Sequence, residues 1–114
     1  MPLLKIQTNT PLEPHAEQGL LKQLSETVAQ TLAKPEDYVM VIIETDVAML
    51  FAGSAQPTAF LMLKSLGLPE EKTAALSKAL CETVTKKLSI PGERIYIEFS
   101  SPVRHMWGWN NATF

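Results

Sequence analysis

The chain carries a copy of its own middle. Displaced by 56 residues, segment 20–41 aligns without a gap on 76–97. Leu20 meets Leu76, Lys22 meets Lys78, and Leu24 meets Leu80. Glu26-Thr27-Val28 meets Glu82-Thr83-Val84, Leu32 meets Leu88, and Pro35 meets Pro91. Any fold for this chain must therefore build one unit twice and pack the two together. Each copy carries an apolar residue at every fourth position, Leu20-Leu24-Val28-Leu32 and Leu76-Leu80-Val84-Leu88, which predicts one buried helix stripe. Pro69-Glu70-Glu71 predicts the second helix's start, because proline needs no amide partner there and carboxylates favour the positive dipole end. Each helix is expected to stop near its proline, Pro35 or Pro91.

Strands are predicted on both sides of each helix. They are 3–8 (LLKIQT) and 38–44 (YVMVIIE) in the first copy, 58–64 (TAFLMLK) and 94–99 (RIYIEF) in the second. Strands joined through a helix run parallel with a right-handed crossover. Val47, Met49 and Phe51 alternate between the copies, which predicts a short edge strand before the turn at Gly53-Ser54. No low-complexity linker intervenes. The expectation is one domain, 1–114, with repeats at about 2–45 and 57–100 and an α/β (α+β) fold of two strand–helix–strand units.

Two helices cover one face of four strands. Residues 39–43 and 59–63 are nevertheless apolar on both faces, so a second cover is expected. A further copy of the chain is the economical cover; the C-terminal tail, SPVRHMWGWNNATF, is the alternative.

Composition narrows function. The 10 Lys+Arg against 12 Asp+Glu give a net charge of −2, with no pull toward nucleic acid or anionic membranes. No apolar run approaches the ~20 residues of a membrane span, and the start MPLLKIQTNT lacks the basic-then-apolar form of a signal peptide. Cys81 is the only cysteine, so no intrachain disulfide and no Cys-x-x-Cys site exists. A cytoplasmic protein is expected. His15 and His105 are isolated, which predicts no metal site. Gly-rich phosphate loops and G-x-S-x-G are absent.

Pro2 is the candidate for chemistry. Met before a small residue is the kind of start that cells trim, and trimming frees the proline's secondary amine. That amine is a base only when unprotonated. Burial and a nearby cation both disfavour its charged form, which makes it a proton shuttle near neutral pH. A proline in second position with no role is the plain alternative.

Across its whole length the chain resembles the macrophage migration inhibitory factor family of the tautomerase superfamily. The resemblance rests on Met1-Pro2, Thr8-Asn9, Lys34-Pro35 with Tyr38, and Met49 through Ser54 (MLFAGS). It continues through Pro57, Lys64-Ser65-Leu66-Gly67, Arg94 with Tyr96-Ile97, and Trp107 through Phe114 (WGWNNATF). It implies a four-stranded mixed sheet with two helices on one face, in a homotrimer whose sheets line a central channel. It further implies a cofactor-independent keto–enol tautomerase acting on phenylpyruvate-like α-keto acids or dopachrome-like compounds. Pro2 then matches the base, and Lys34 the lysine that grips the substrate carboxylate and lowers the proline's pKa. Leu66 matches a pocket residue whose N–H meets substrate. Tyr96 matches a tyrosine contributed by the neighbouring subunit, and Tyr38, Trp109 and Phe114 match an aromatic rim.

Three positions depart from the family pattern. Glu98 replaces an asparagine beside Tyr96, and a carboxylate there repels an anionic substrate and raises the proline's pKa. Trp107 replaces a small aliphatic residue at the pocket edge. Thr58-Ala59-Phe60-Leu61 replaces a Cys-x-x-Cys, so thiol-oxidoreductase activity is not expected. The resemblance also carries a second reading, a cytokine-like protein that binds a cell-surface receptor after export without a signal peptide, with a weak or vestigial pocket.

Overall fold

The computed structural model describes residues 1–114. The first unit is β1 (Leu3–Thr8), α1 (Pro14–Leu32) and β2 (Met40–Glu44). The second is β3 (Ala59–Lys64), α2 (Thr73–Leu88) and β4 (Ile95–Ser100). The 56-residue offset found in the sequence carries β1 onto β3 residue for residue and the last residue of α1 onto the last of α2. Strand order is β2-β1-β3-β4. Each unit's own strands are parallel, and β1 and β3 meet antiparallel at the centre. The result is a four-stranded mixed sheet with both helices on one face.

The helix stripes behave as their spacing predicts. Leu20, Leu24 and Val28 of α1 and Leu76, Leu80 and Val84 of α2 are buried against Leu4, Ile6, Leu61 and Leu63 of the central strands. Each such side chain contributes about 1.5–3 kcal/mol of burial. No helix is long and apolar enough to cross a membrane.

The opposite face of the sheet is open. Its rows read Met40–Leu3–Lys64–Ser100, Ile42–Lys5–Met62–Glu98 and Glu44–Gln7–Phe60–Tyr96 across the four strands. Met40, Ile42 and Tyr96 are exposed on it, and Lys5 pairs with Glu44 at 3.0 Å. The tail does not cover this face. Its turn at Arg104–Met106 and its hairpin of β5 (Gly108–Trp109) and β6 (Ala112–Thr113) lie instead against Pro2 and Tyr38, at the end of the sheet where β1 begins.

Several boundaries shift from expectation. Residues 47–51 form no strand; the Val47 N–H donates to Thr8 O at 3.0 Å and Phe51 bridges to Ser54, but these isolated contacts do not extend into a ladder. The second helix begins at Thr73, because Glu70–Lys72 closes first as a 3-10 turn. Tyr38 and Arg94 end 3-10 turns rather than open strands, since Pro35 and Pro91 each start a tight turn at matched positions of the two units.

Candidate active site

Both helices end one turn earlier than their prolines. Ala33 and Ser89, 56 residues apart, adopt left-handed backbone at φ 54° and 58°. A non-glycine residue pays about 1–2 kcal/mol for that conformation. At the first of these ends, the Ala33 N–H donates to Gln30 O and the Lys34 N–H to Ala29 O, at 3.2 and 3.0 Å. This closed cap reverses the chain and sends the Lys34 side chain out toward the end of β3. Its ammonium there donates to Ser65 Oγ at 2.8 Å and to the Leu66 carbonyl at 2.6 Å. Ser65 and Leu66 are buried and held by a tight turn, in which Leu68 N–H donates to Ser65 O and Gly67 takes φ +63°.

Pro2 is buried at the head of β1, and its carbonyl accepts from Met40 N–H at 3.0 Å. The tail supplies the wall. Asn110 and Asn111 both have positive φ, which fits the two-residue hairpin between β5 and β6. That hairpin sets the Trp109 ring edge-on to Tyr38 at 6.1 Å and stacked on Phe114 at 6.0 Å. Two adjoining cavities result. One, of about 300 Å³, is lined by Met1, Lys34, Tyr38, Leu66, Arg104, Trp109 and Phe114. The other, of about 190 Å³, runs from Pro2 past Met40 to Trp107. Met1, Tyr38 and Trp109 border both. A larger open depression, about 660 Å³ at Asn9, Val47–Leu50 and Ala55, holds no titratable side chain and offers no acid–base chemistry.

The electrostatics at this end of the sheet disfavour positive charge. Burial, then Lys34, then Arg104 hold the N-terminal amine, here that of Met1, below its ordinary value. Burial likewise lowers the Lys34 ammonium. Both effects favour the neutral, proton-accepting form of an amine placed here.

The structure thus brings six of the sequence candidates to one end of the sheet: Pro2, Lys34, Tyr38, Leu66, Trp109 and Phe114. Tyr96 and Glu98 are not among them. Tyr96 pairs with Phe60, which pairs with Gln7, five positions along β1 from Pro2. At strand rise that is about 16 Å. Its ring rests on Phe51 at 4.7 Å, and Glu98 stands exposed beside Met62 on the open face. Two residues escaped the sequence reading as contributors. Ser65 lies within the Lys64-Ser65-Leu66-Gly67 segment, but its bond to Lys34 spans 31 residues. Arg104 had no local signal at all, being one basic residue in a tail whose hairpin alone decides where it lies.

The internal repeat does not double the site. Lys34 corresponds to Ile90 and Pro2 to Thr58. Ile90 is fully buried, and the Thr58 hydroxyl donates to Arg94 O at 2.7 Å. The second unit fills with core what the first leaves open.

Comparison with known proteins covers the whole chain. The family model described as macrophage migration inhibitory factor (MIF) matches residues 1–114. The macrophage migration inhibitory factor of Meriones unguiculatus is 36% identical over 115 residues, spanning 100% of this chain and 99% of that protein. The homolog from Brugia malayi is likewise 36% identical, over 100% of this chain and 99% of its own length. Among solved structures, a macrophage migration inhibitory factor homologue from Prochlorococcus marinus superimposes with a TM-score of 0.93 at 39% identity, covering 98% of each chain.

Proposed function

This chain belongs to the macrophage migration inhibitory factor family, and on that premise we propose that it is a cofactor-independent keto–enol tautomerase of aryl α-keto acids. The observation that carries the reading is the setting of its N-terminus: a buried proline lining one cavity, and two cations and three aromatic rings lining the adjoining one, with Met1 bordering both. Removal of Met1 would expose the Pro2 nitrogen where the chain already lowers an amine's pKa. It would also join the two cavities that Met1 borders.

In the proposed reaction the neutral Pro2 amine takes one proton, from the enol oxygen or from the adjacent carbon, and returns it to the other atom. The electron pair shifts between C=C and C=O, so no oxidant, reductant or second substrate is needed. Tyr38, Trp109 and Phe114 hold the ring flat, and Lys34 stabilises negative charge on the substrate. A positioned base of this kind contributes about 10²–10⁴-fold, with orientation adding more.

A homotrimer is part of the same proposal. The exposed Met40, Ile42 and Tyr96 on the open sheet face support it. A neighbouring copy is the route by which Tyr96 and Glu98 would reach a Pro2 cavity that they cannot reach in their own chain. The deciding experiment is Pro2→Gly, assayed on phenylpyruvate beside an intact-mass measurement of the parent protein. The expected results are a mass lacking one methionine and a loss of rate of about 10²-fold or more. Full activity in Pro2→Gly overturns the mechanism.

A further inference from the structure

Lys34 and Arg104 border the same cavity, yet they are in different states of commitment. An ammonium has three donors. Lys34 has already given one to Ser65 Oγ and one to the Leu66 carbonyl. It is therefore a point charge with a single N–H left to offer. Arg104 is the opposite case. Its guanidinium makes no hydrogen bond within the chain, and the one ion pair of the protein is Lys5–Glu44. Its five donors are free, and two of them form the planar fork that matches both oxygens of a carboxylate.

The backbone of Arg104 is held by its surroundings, while its side chain is exposed. It opens the 3-10 turn at Arg104–Met106, whose end is closed by the Trp107 N–H on Arg104 O at 3.2 Å. Strand β6 packs on that turn. The same hairpin sets Trp109 and Phe114, so the backbone that carries Arg104 and the aromatic wall belong to one piece of chain.

We propose that Arg104 clamps the substrate carboxylate, and that Lys34 turns its remaining N–H to the neighbouring carbonyl or enol oxygen. The substrate class that satisfies both is a 2-oxo acid or its enol, with oxygen on adjacent carbons and a flat apolar group toward Tyr38 and Trp109. The division of labour has a chemical reason. The carboxylate charge is the same in ground and transition states, so Arg104 contributes uniform binding. Charge on the neighbouring oxygen grows as the carbon-bound proton leaves, so Lys34 acts on the transition state. The Lys34 half of this proposal rests on the tautomerase reading; the Arg104 half concerns binding alone.

The test uses the full chain and two inert probes, 3-phenylpropanoate and its methyl ester, titrated calorimetrically. The parent protein is expected to prefer the acid by about 10- to 100-fold, the range for charge-assisted hydrogen bonds. Arg104→Ala should erase that preference with the ester's affinity unchanged. Arg104→Lys should restore only part of it, because the charge returns without the fork. In turnover of phenylpyruvate, Arg104→Ala should raise KM more than it lowers kcat, and Lys34→Met the reverse. Equal acid and ester affinity in the parent, or an acid preference that survives Arg104→Ala, overturns the Arg104 assignment. A Lys34→Met variant that changes only KM overturns the Lys34 half. Absence of phenylpyruvate turnover in the parent removes the tautomerase reading and the Lys34 half with it, while the two probes still decide Arg104.

Discussion

The Lys34 ammonium lies 2.6 Å from the carbonyl oxygen of Leu66, a residue 32 positions further along the chain. The contact ties the end of α1 to the turn after β3, and so joins the two repeated units at the proposed site. It also holds a cation beside the N-terminus, where it lowers the pKa of the amine.

Replacing Lys34 by methionine should therefore move the acid limb of the pH–rate profile. The base works unprotonated. The nearby cation lowers its pKa, so removing the cation raises it, and a smaller neutral fraction remains at any given pH. The limb of kcat/KM is expected to shift to higher pH in Lys34→Met, and in the same direction in Arg104→Ala. A limb that stays in place in both variants would show that neither charge tunes the amine.

Arg94 is expected to be the main fastener of the loop between the units. Its Nε donates to Pro57 O at 2.9 Å, Nη1 to Phe51 O at 3.0 Å, and Nη2 to Ser54 O and Gln56 O, each at 3.0 Å. The guanidinium also lies 5.3 Å from the centre of the Phe51 ring. Arg94→Ala should cost about 2–4 kcal/mol in urea unfolding. Arg94→Lys should recover under half of that, because one ammonium cannot span four carbonyls.

Ile90→Lys probes the broken symmetry of the repeat. It would place lysine at the position that matches Lys34, where the present side chain is fully buried. An unpaired buried charge should cost about 3–5 kcal/mol, read as a lower urea midpoint. A variant of unchanged stability would mean that the second unit accepts a cation as readily as the first.

Ile42→Asp addresses the open sheet face. Ile42 is 39% exposed in the single chain, and a carboxylate there would be desolvated by a neighbouring copy. Sedimentation velocity is expected to give a trimer for the parent and a smaller species for the variant. A monomeric parent would remove the neighbour from the proposed site.

Much of this molecule was legible beforehand, and the parts that were not share a cause. The helices could be read because a four-residue recurrence such as Leu20-Leu24-Val28-Leu32 is a local statement about which face is buried. Each stops near its proline as expected, but the exact last residue could not be read, because the left-handed backbone at Ala33 and Ser89 carries no glycine to announce it. Residues 47–51 alternate as a strand does, but alternation supplies no ladder partner. In the tail, the Trp107–Phe114 motif was visible as a family signature, whereas the return of its hairpin to the head of β1 was not.

By itself, the sequence determined the duplicated strand–helix–strand unit, the buried stripe of each helix and the family, because these are written in local periodicity and in residue identity. Only the tertiary structure decided that Lys34 spends two donors on Ser65 and Leu66, that Arg104 keeps all of its own, and that Tyr96 stands at the far end of the sheet from Pro2. Those are relations between residues tens of positions apart. They are fixed by strand register and chain reversal, which no short stretch of sequence encodes.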